Sequence, residues 1–312
     1  MNAALMISRF AQFGGVMLLF GISLFRLRFN PESDGRICLR WYRQAPIAAA
    51  IITMASSLAW LDFVAGTMGD DGSKAASLRT IAAVLFHTRF GHVWQWNLVA
   101  AAIVLCATLT SAKIQHVKPW AAFVVGLSAF LIATSAWTGH AVMDNGLTGA
   151  IHPLVQVVHV LAAAAWLGSL PALGFALHSA AKLEAAPTQA IQRLIRGYSR
   201  MGSIAVGLVL FTGCIDTWFM ADSLEALFRT LYGRILVAKI SLFLLMVGVA
   251  VVNRFIVTPA IMNSDSSVAT TQARLRQLRR NIVIEQTLGL LIIALVSMLG
   301  TVPPPFPAHM DM

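Results

Sequence analysis

The chain has 312 residues, 58% of them hydrophobic and 12% charged, with a formal net charge of +10 and a mean hydropathy of +0.74. Soluble domains carry about 25% charged residues, so this composition excludes a water-soluble globular class. It also argues against reading the positive charge as a nucleic-acid footprint, because the basic residues sit in short loops between apolar runs and not on one face of a soluble fold.

About 20 apolar residues in a helix cross a hydrocarbon core. The first run of that length covers residues 5 to 27. It has no A-x-A-like cleavage site ahead of its arginines, and those arginines follow the run, so it is expected to persist as a helix. A second run covers 44 to 65. The stretch Ser77 to Phe86 (SLRTIAAVLF) is too short to span and reads as an interfacial helix or a lid. Six more runs follow, at 90 to 112, 119 to 138, 151 to 177, 198 to 219, 233 to 257 and 281 to 301. Ala186 to Arg196 and Asn263 to Arg280 read as polar linkers, the second as a basic amphipathic helix. The expected fold is therefore all-α, a polytopic bundle of about eight transmembrane helices forming one integral membrane domain over residues 1 to 312.

Lysine and arginine resist translocation and mark cytoplasmic loops. Sixteen of the 23 basic residues fall after the first, third, fifth and seventh runs, among them Arg36, Lys113, Arg193 and Arg276, against five on the other side. Both termini are thus expected outside the cytoplasm. No G-x-x-x-x-G-K-[ST] run occurs, so a nucleotide-driven pump is not indicated, and no enzyme is expected. Cys38, Cys106 and Cys214 form no CxxC pair and read as small core thiols.

This topology puts His87, His92, His140, His152, His159 and His309 outside or in the outer half of the membrane, and only His116 and His178 inside. Neutral imidazole is the commonest protein metal ligand. His152 and His159 are seven residues apart, which places them on one helix face about 10 Å apart, with Trp166 continuing the stripe. An intramembrane histidine faces a cavity or a partner by default; the competing reading is a satisfied packing residue. His140, after Gly139, is expected at the outer surface near His152. His87 and His92 flank the start of the third run, where plain solvation is the alternative. Met68, Met143, Met220, Met310 and Met312 lie on outer loops or ends, and thioethers select Cu(I) where imidazole suits both copper oxidation states. Two ionisable groups are left unexplained by topology: Lys239, expected to snorkel outward, and Glu285, expected to pair with Arg254 near the inner surface; Arg9, near the outer end of the first run, is also expected to snorkel.

Several of these pieces resemble the copper resistance protein D family. They are Thr88-Arg89-Phe90-Gly91 with Trp94, Gly139-His140-Ala141, the run from His159 through Trp166 to Gly168, Thr212-Gly213, Tyr232-Gly233 with Lys239, and Asn253-Arg254. The resemblance implies a bacterial inner-membrane protein that works with a periplasmic copper-binding protein of the CopC type and moves copper from periplasm to cytoplasm. It places the family's motif histidines at His140 and His159; His152, His87 and His92 come from geometry, and Met143 joins them as a rim ligand. Some relatives carry a fused periplasmic copper-binding domain, so here a separate donor is expected.

Three functions compete at this stage. The first is a copper permease in which Cu(I) or Cu(II) steps from rim ligands to His159. The second is a b-type haem protein with His140 and His159 as axial ligands. The third is a membrane anchor for periplasmic copper proteins that moves nothing itself.

Overall fold

A computed structural model describes residues 3–30, 39–68, 77–110, 117–137, 146–181, 189–220, 228–263 and 268–302. All the regular structure in them is helical: α1 (Ala3–Phe29), α2 (Leu39–Met68), α3 (Leu78–His87), α4 (Arg89–Thr110), α5 (Val117–Ala136), α6 (Gly146–Leu167), α7 (Leu170–Ala181), α8 (Gln189–Met220), α9 (Leu231–Val252), α10 (Thr258–Met262) and α11 (Val268–Leu299). Taken as continuous rods across their breaks, these supply eight segments long and apolar enough to cross a membrane. The chain is a polytopic helical membrane bundle.

Helix α1 runs through the middle, packed against α2, α5, α6 and α11. Its residues Leu19, Ile22 and Phe25 are buried. Large apolar side chains such as Phe211, Leu244, Leu245 and Phe255 instead point outward, as lipid-facing surfaces require. Polar glue joins the first helices: Ser56 and Ser57 donate to Gln12 Oε1 at 2.7 and 3.0 Å, and Asn97 donates to Thr134 at 2.8 Å. Cys106 and Cys214 are free and exposed, so the expectation of core thiols is corrected for these two.

The expected span 151–177 is broken into α6 and α7 at Gly168–Ser169. Pro171 is the cause, because its ring has no N–H to bond Leu167 and would clash with that carbonyl. At the break α1 approaches closely. A Cβ on Gly21 would lie 2.1 Å from the Gly168 carbonyl carbon, and one on Gly168 would lie 1.9 Å from the Met17 oxygen, so only glycines fit. The seventh span is interrupted in a similar way, by a wide π turn at Asn253–Val257 just ahead of Pro259. The expected linker 263–280 is mostly helix continuous with the last span, since Leu275, Leu278 and Ile282 bury one face against the core. The stretch at 77–86 is a short helix, as expected, capped by Ser77, whose hydroxyl accepts from Thr80 N at 3.1 Å.

Candidate functional site

Among the described residues, two cavities lie along α6, one toward each end of the bundle. The first, about 160 Å³, is at the end where Arg9 of α1 meets Gly300 after α11, the end that holds both termini of the described chain. His152, Gln156, Asp216, Tyr232 and Lys239 line it with Arg9. The second, about 410 Å³, is toward the other end and is lined by Trp166, Tyr198, Arg254 and Glu285 within mostly apolar walls.

The stripe read from the sequence connects them. His152 is 3% exposed and faces the first cavity, while Trp166 reaches the second; His159 stands between on the same face. Helix α8 supplies the partners. Asp216 Oδ1 lies 3.7 Å from His152 Nε2, and its Oδ2 lies 4.0 Å from His159 Nδ1. One turn earlier, Thr212 Oγ1 is 2.9 Å from His159 Nδ1 and donates its own proton to the Leu208 carbonyl at 2.6 Å. With that proton spent, the threonine oxygen accepts, so His159 carries its hydrogen on Nδ1 and presents a bare Nε2 lone pair. Gly213 lies alongside this ring, and a Cβ there would stand 3.4 Å from His159 Cε1, in ordinary van der Waals contact.

Asp216 Oδ1 is buried without a hydrogen bond. A buried carboxylate oxygen left so, with imidazoles on both sides, has acceptor capacity to spare. Among the described residues no three His, Cys, Asp or Glu side chains converge into a ready-made chelate. His152, Asp216 and His159 instead form a line between α6 and α8.

At the far end of the stripe, Trp166 Nε1 donates to Glu285 Oε2 at 3.2 Å and Asn253 Nδ2 donates to Glu285 Oε1 at 2.6 Å. Asn281 in turn donates to Asn253 Oδ1 at 2.7 Å. The expected Glu285–Arg254 ion pair is absent among the described residues; Arg254 donates to Ser199 Oγ at 3.1 Å instead. The carboxylate is already held by an indole and an amide, and Arg254 sits on the first residue turn of the π segment, facing α8. Arg9 and Lys239 were expected to snorkel. Arg9 turns inward, its guanidinium 4.5 Å from the Trp60 ring centroid, and Lys239 lines the first cavity.

The other candidate ligands are placed as follows. His140, Met143 and His309 lie outside the described residues. His87 ends α3 and is exposed, and His92 donates from Nε2 to the Phe86 carbonyl at 3.1 Å, so both sit at the α3–α4 corner and neither lines the two cavities. Asp216 is the residue that sequence reading missed. Its signal was an acid inside an apolar run, Gly213-Cys214-Ile215-Asp216-Thr217-Trp218, too near the end of the span to look buried.

Residues 1–150 match the model described as copper resistance protein D-like, N-terminal domain, and residues 192–299 match that of copper resistance protein D. The chain belongs to the copper resistance protein D family. It is 27% identical over 307 residues to "Copper resistance protein D" of Pseudomonas syringae pv. tomato, covering 97% of each chain. It is 28% identical over 297 residues to "Inner membrane protein YebZ" of Escherichia coli (strain K12), covering 95% of this chain and 97% of that one. It is 26% identical over 235 residues to "Copper transport protein CutJ" of Bacillus subtilis (strain 168), covering 73% of this chain and 40% of that protein. No solved structure matches the chain. Asp216, Lys239, Asn253 and Glu285 fall within the second copper resistance protein D match, while His152, His159 and Trp166 lie between the two.

Proposed function

We propose that this protein is a copper permease of the bacterial inner membrane, with copper as its cargo and no catalytic chemistry of its own. The observation that carries the reading is the line of buried His152 and half-buried Asp216 and His159 that runs from the first cavity toward the second, in a chain of this family. Under the positive-inside rule the end holding the first cavity faces the periplasm. A periplasmic donor of the CopC type delivers copper there, with His140 and Met143 as rim ligands and His87 and His92 as an outlying pair at the α3–α4 corner.

The steps follow from the ligands. His152 Nε2 and Asp216 Oδ1 are 3.7 Å apart, a separation that an ion with bonds of about 2.0–2.2 Å to each can bridge. Asp216 lies within 4.0 Å of both histidines, and the next ligand offered to the ion is the free Nε2 of His159, whose ring is fixed through Nδ1 by Thr212. Beyond it the Trp166–Glu285 hydrogen bond closes the floor, and its opening releases cargo to the second cavity. Several sites of moderate strength suit conduction, because one tight chelate would not let go.

A cavity of about 160 Å³ falls below the roughly 300 Å³ at which pockets begin to hold organic molecules. That supports an ion as the occupant of the first cavity.

The test is copper flux into proteoliposomes loaded with a Cu(I) indicator. Wild type should accumulate copper and His159→Ala should not. Normal uptake by the variant would rule this route out, and binding without flux in wild type would favour a membrane anchor.

A further inference from the structure

Helices α8 and α9 follow one another in the chain yet form no packed interface: among the described residues α8 lies on α6 and α9 lies on α11. The second cavity occupies the cleft this leaves. Val206 of α8 stands on one side of it, Val247 and Ala250 of α9 on the other, with buried Trp166 and Ile282 behind. Val251 and Phe255 also line the cavity and are exposed, so the cleft opens sideways toward the bilayer.

Helix length fixes the height of this opening. From Leu231 to Arg254 the chain climbs about 35 Å, and from Trp218 back to Ser199 about 29 Å, at 1.5 Å per residue; a hydrocarbon core is roughly 30 Å thick. Arg254 and Ser199 therefore stand at headgroup level in the leaflet opposite the first cavity, and the apolar walls run from there into the acyl region.

Several polar groups of the cavity are already engaged. Glu285 is held by Trp166 and Asn253, Tyr198 donates to the Trp166 carbonyl at 2.9 Å, and Ser203 donates to the Ser199 carbonyl at 2.9 Å. Arg254 has capacity left. A guanidinium offers a fork of N–H donors and stays cationic, and among the described residues this one makes a single hydrogen bond, to the Ser199 hydroxyl. Apolar walls open to one leaflet, below a cationic fork at headgroup height, match a molecule with an acyl chain at one end and a phosphate at the other. The volume of about 410 Å³ exceeds the roughly 300 Å³ at which pockets begin to hold organic molecules.

We propose that the second cavity binds one phospholipid of net negative charge, with an acyl chain in the α8–α9 cleft and the phosphate on Arg254. A glycerol headgroup leaves the phosphate unopposed, whereas a choline headgroup sets its own ammonium against the guanidinium. The site stands apart from the copper reading, since a chain that moved no ion would hold the lipid in the same way.

The experiment equilibrates the full-length protein in nanodiscs of phosphatidylglycerol and phosphatidylcholine in equal amounts, releases it into detergent and reads retained lipid by native mass spectrometry. Wild type should keep one phosphatidylglycerol per chain in preference to phosphatidylcholine. Arg254→Gln should lower that species about 10-fold and erase the preference. Ala250→Phe fills the cleft and leaves Arg254 in place, so it should lower retention of both lipids; Val251→Trp at the exposed mouth replaces it if that variant does not fold. Arg196→Gln removes an exposed arginine of α8 that does not line the cavity, and it should change nothing. Equal retention of the two lipids by wild type, retention untouched by Arg254→Gln or by the cleft-filling variant, or an equal loss with Arg196→Gln would overturn the site. So would a bound mass that is a second copy of the chain or no lipid at all.

Discussion

Replacing Asp216 by asparagine removes one negative charge and keeps the size and shape of the side chain, so it isolates the electrostatic contribution of the carboxylate. The acid is 16% exposed and flanked by imidazoles at 3.7 and 4.0 Å, so water screens it only in part. A monovalent ion about 4 Å from the centre of its charge gains about 4 kcal/mol at an effective dielectric of about 20. The amide oxygen that replaces it still ligates weakly. Half of the figure is a fair net loss, about 2 kcal/mol, or an affinity about 30-fold weaker. The assay is competition for Cu(I) between purified protein and a chromogenic chelator, with thermal melting as the check on folding. A folded Asp216→Asn variant whose Cu(I) affinity stays within about threefold of wild type would refute the reasoning, since the carboxylate would then not touch the ion.

Two further outcomes are expected. Thr212→Val deletes the oxygen that fixes the His159 tautomer, so Cu(I) affinity should fall about 10-fold while the melting midpoint barely moves; an unchanged affinity in the same chelator competition would mean that the ring needs no such support. Gly168→Ala puts a methyl where the Met17 carbonyl now lies 1.9 Å from the ideal Cβ position, so α1 and α6 must separate, at about 1–3 kcal/mol; a melting midpoint in detergent equal to wild type would show that the contact is softer than the backbone geometry implies.

The spans were legible because length and hydropathy alone decide them. The His152–His159–Trp166 stripe was legible too, since a spacing of seven fixes a common face whatever surrounds it. What the stripe faces was not legible. Asp216 comes from another helix 57 residues further along than His159, and only the packing of α8 on α6 brings it there. Glu285 illustrates the same limit: Arg254 was the obvious partner by charge and depth, yet uncharged Trp166 and Asn253 took both carboxylate oxygens. The break after Leu167 could have been read from Pro171, had the apolar run not concealed it.

The glycine contact between α1 and the end of α6 sets how far each group on that helix can travel. With Gly168 as a fulcrum, His152 lies 16 residues up the lever, about 24 Å at 1.5 Å per residue, His159 about 13 Å and Trp166 about 3 Å. A tilt of about 10° would then carry His152 roughly 4 Å and His159 roughly 2 Å, while Trp166 moves only about half an ångström. The upper imidazole can swing away from Asp216 while the indole keeps its grip on Glu285, so one rocking rod would unlatch one end of the passage and leave the other bolted.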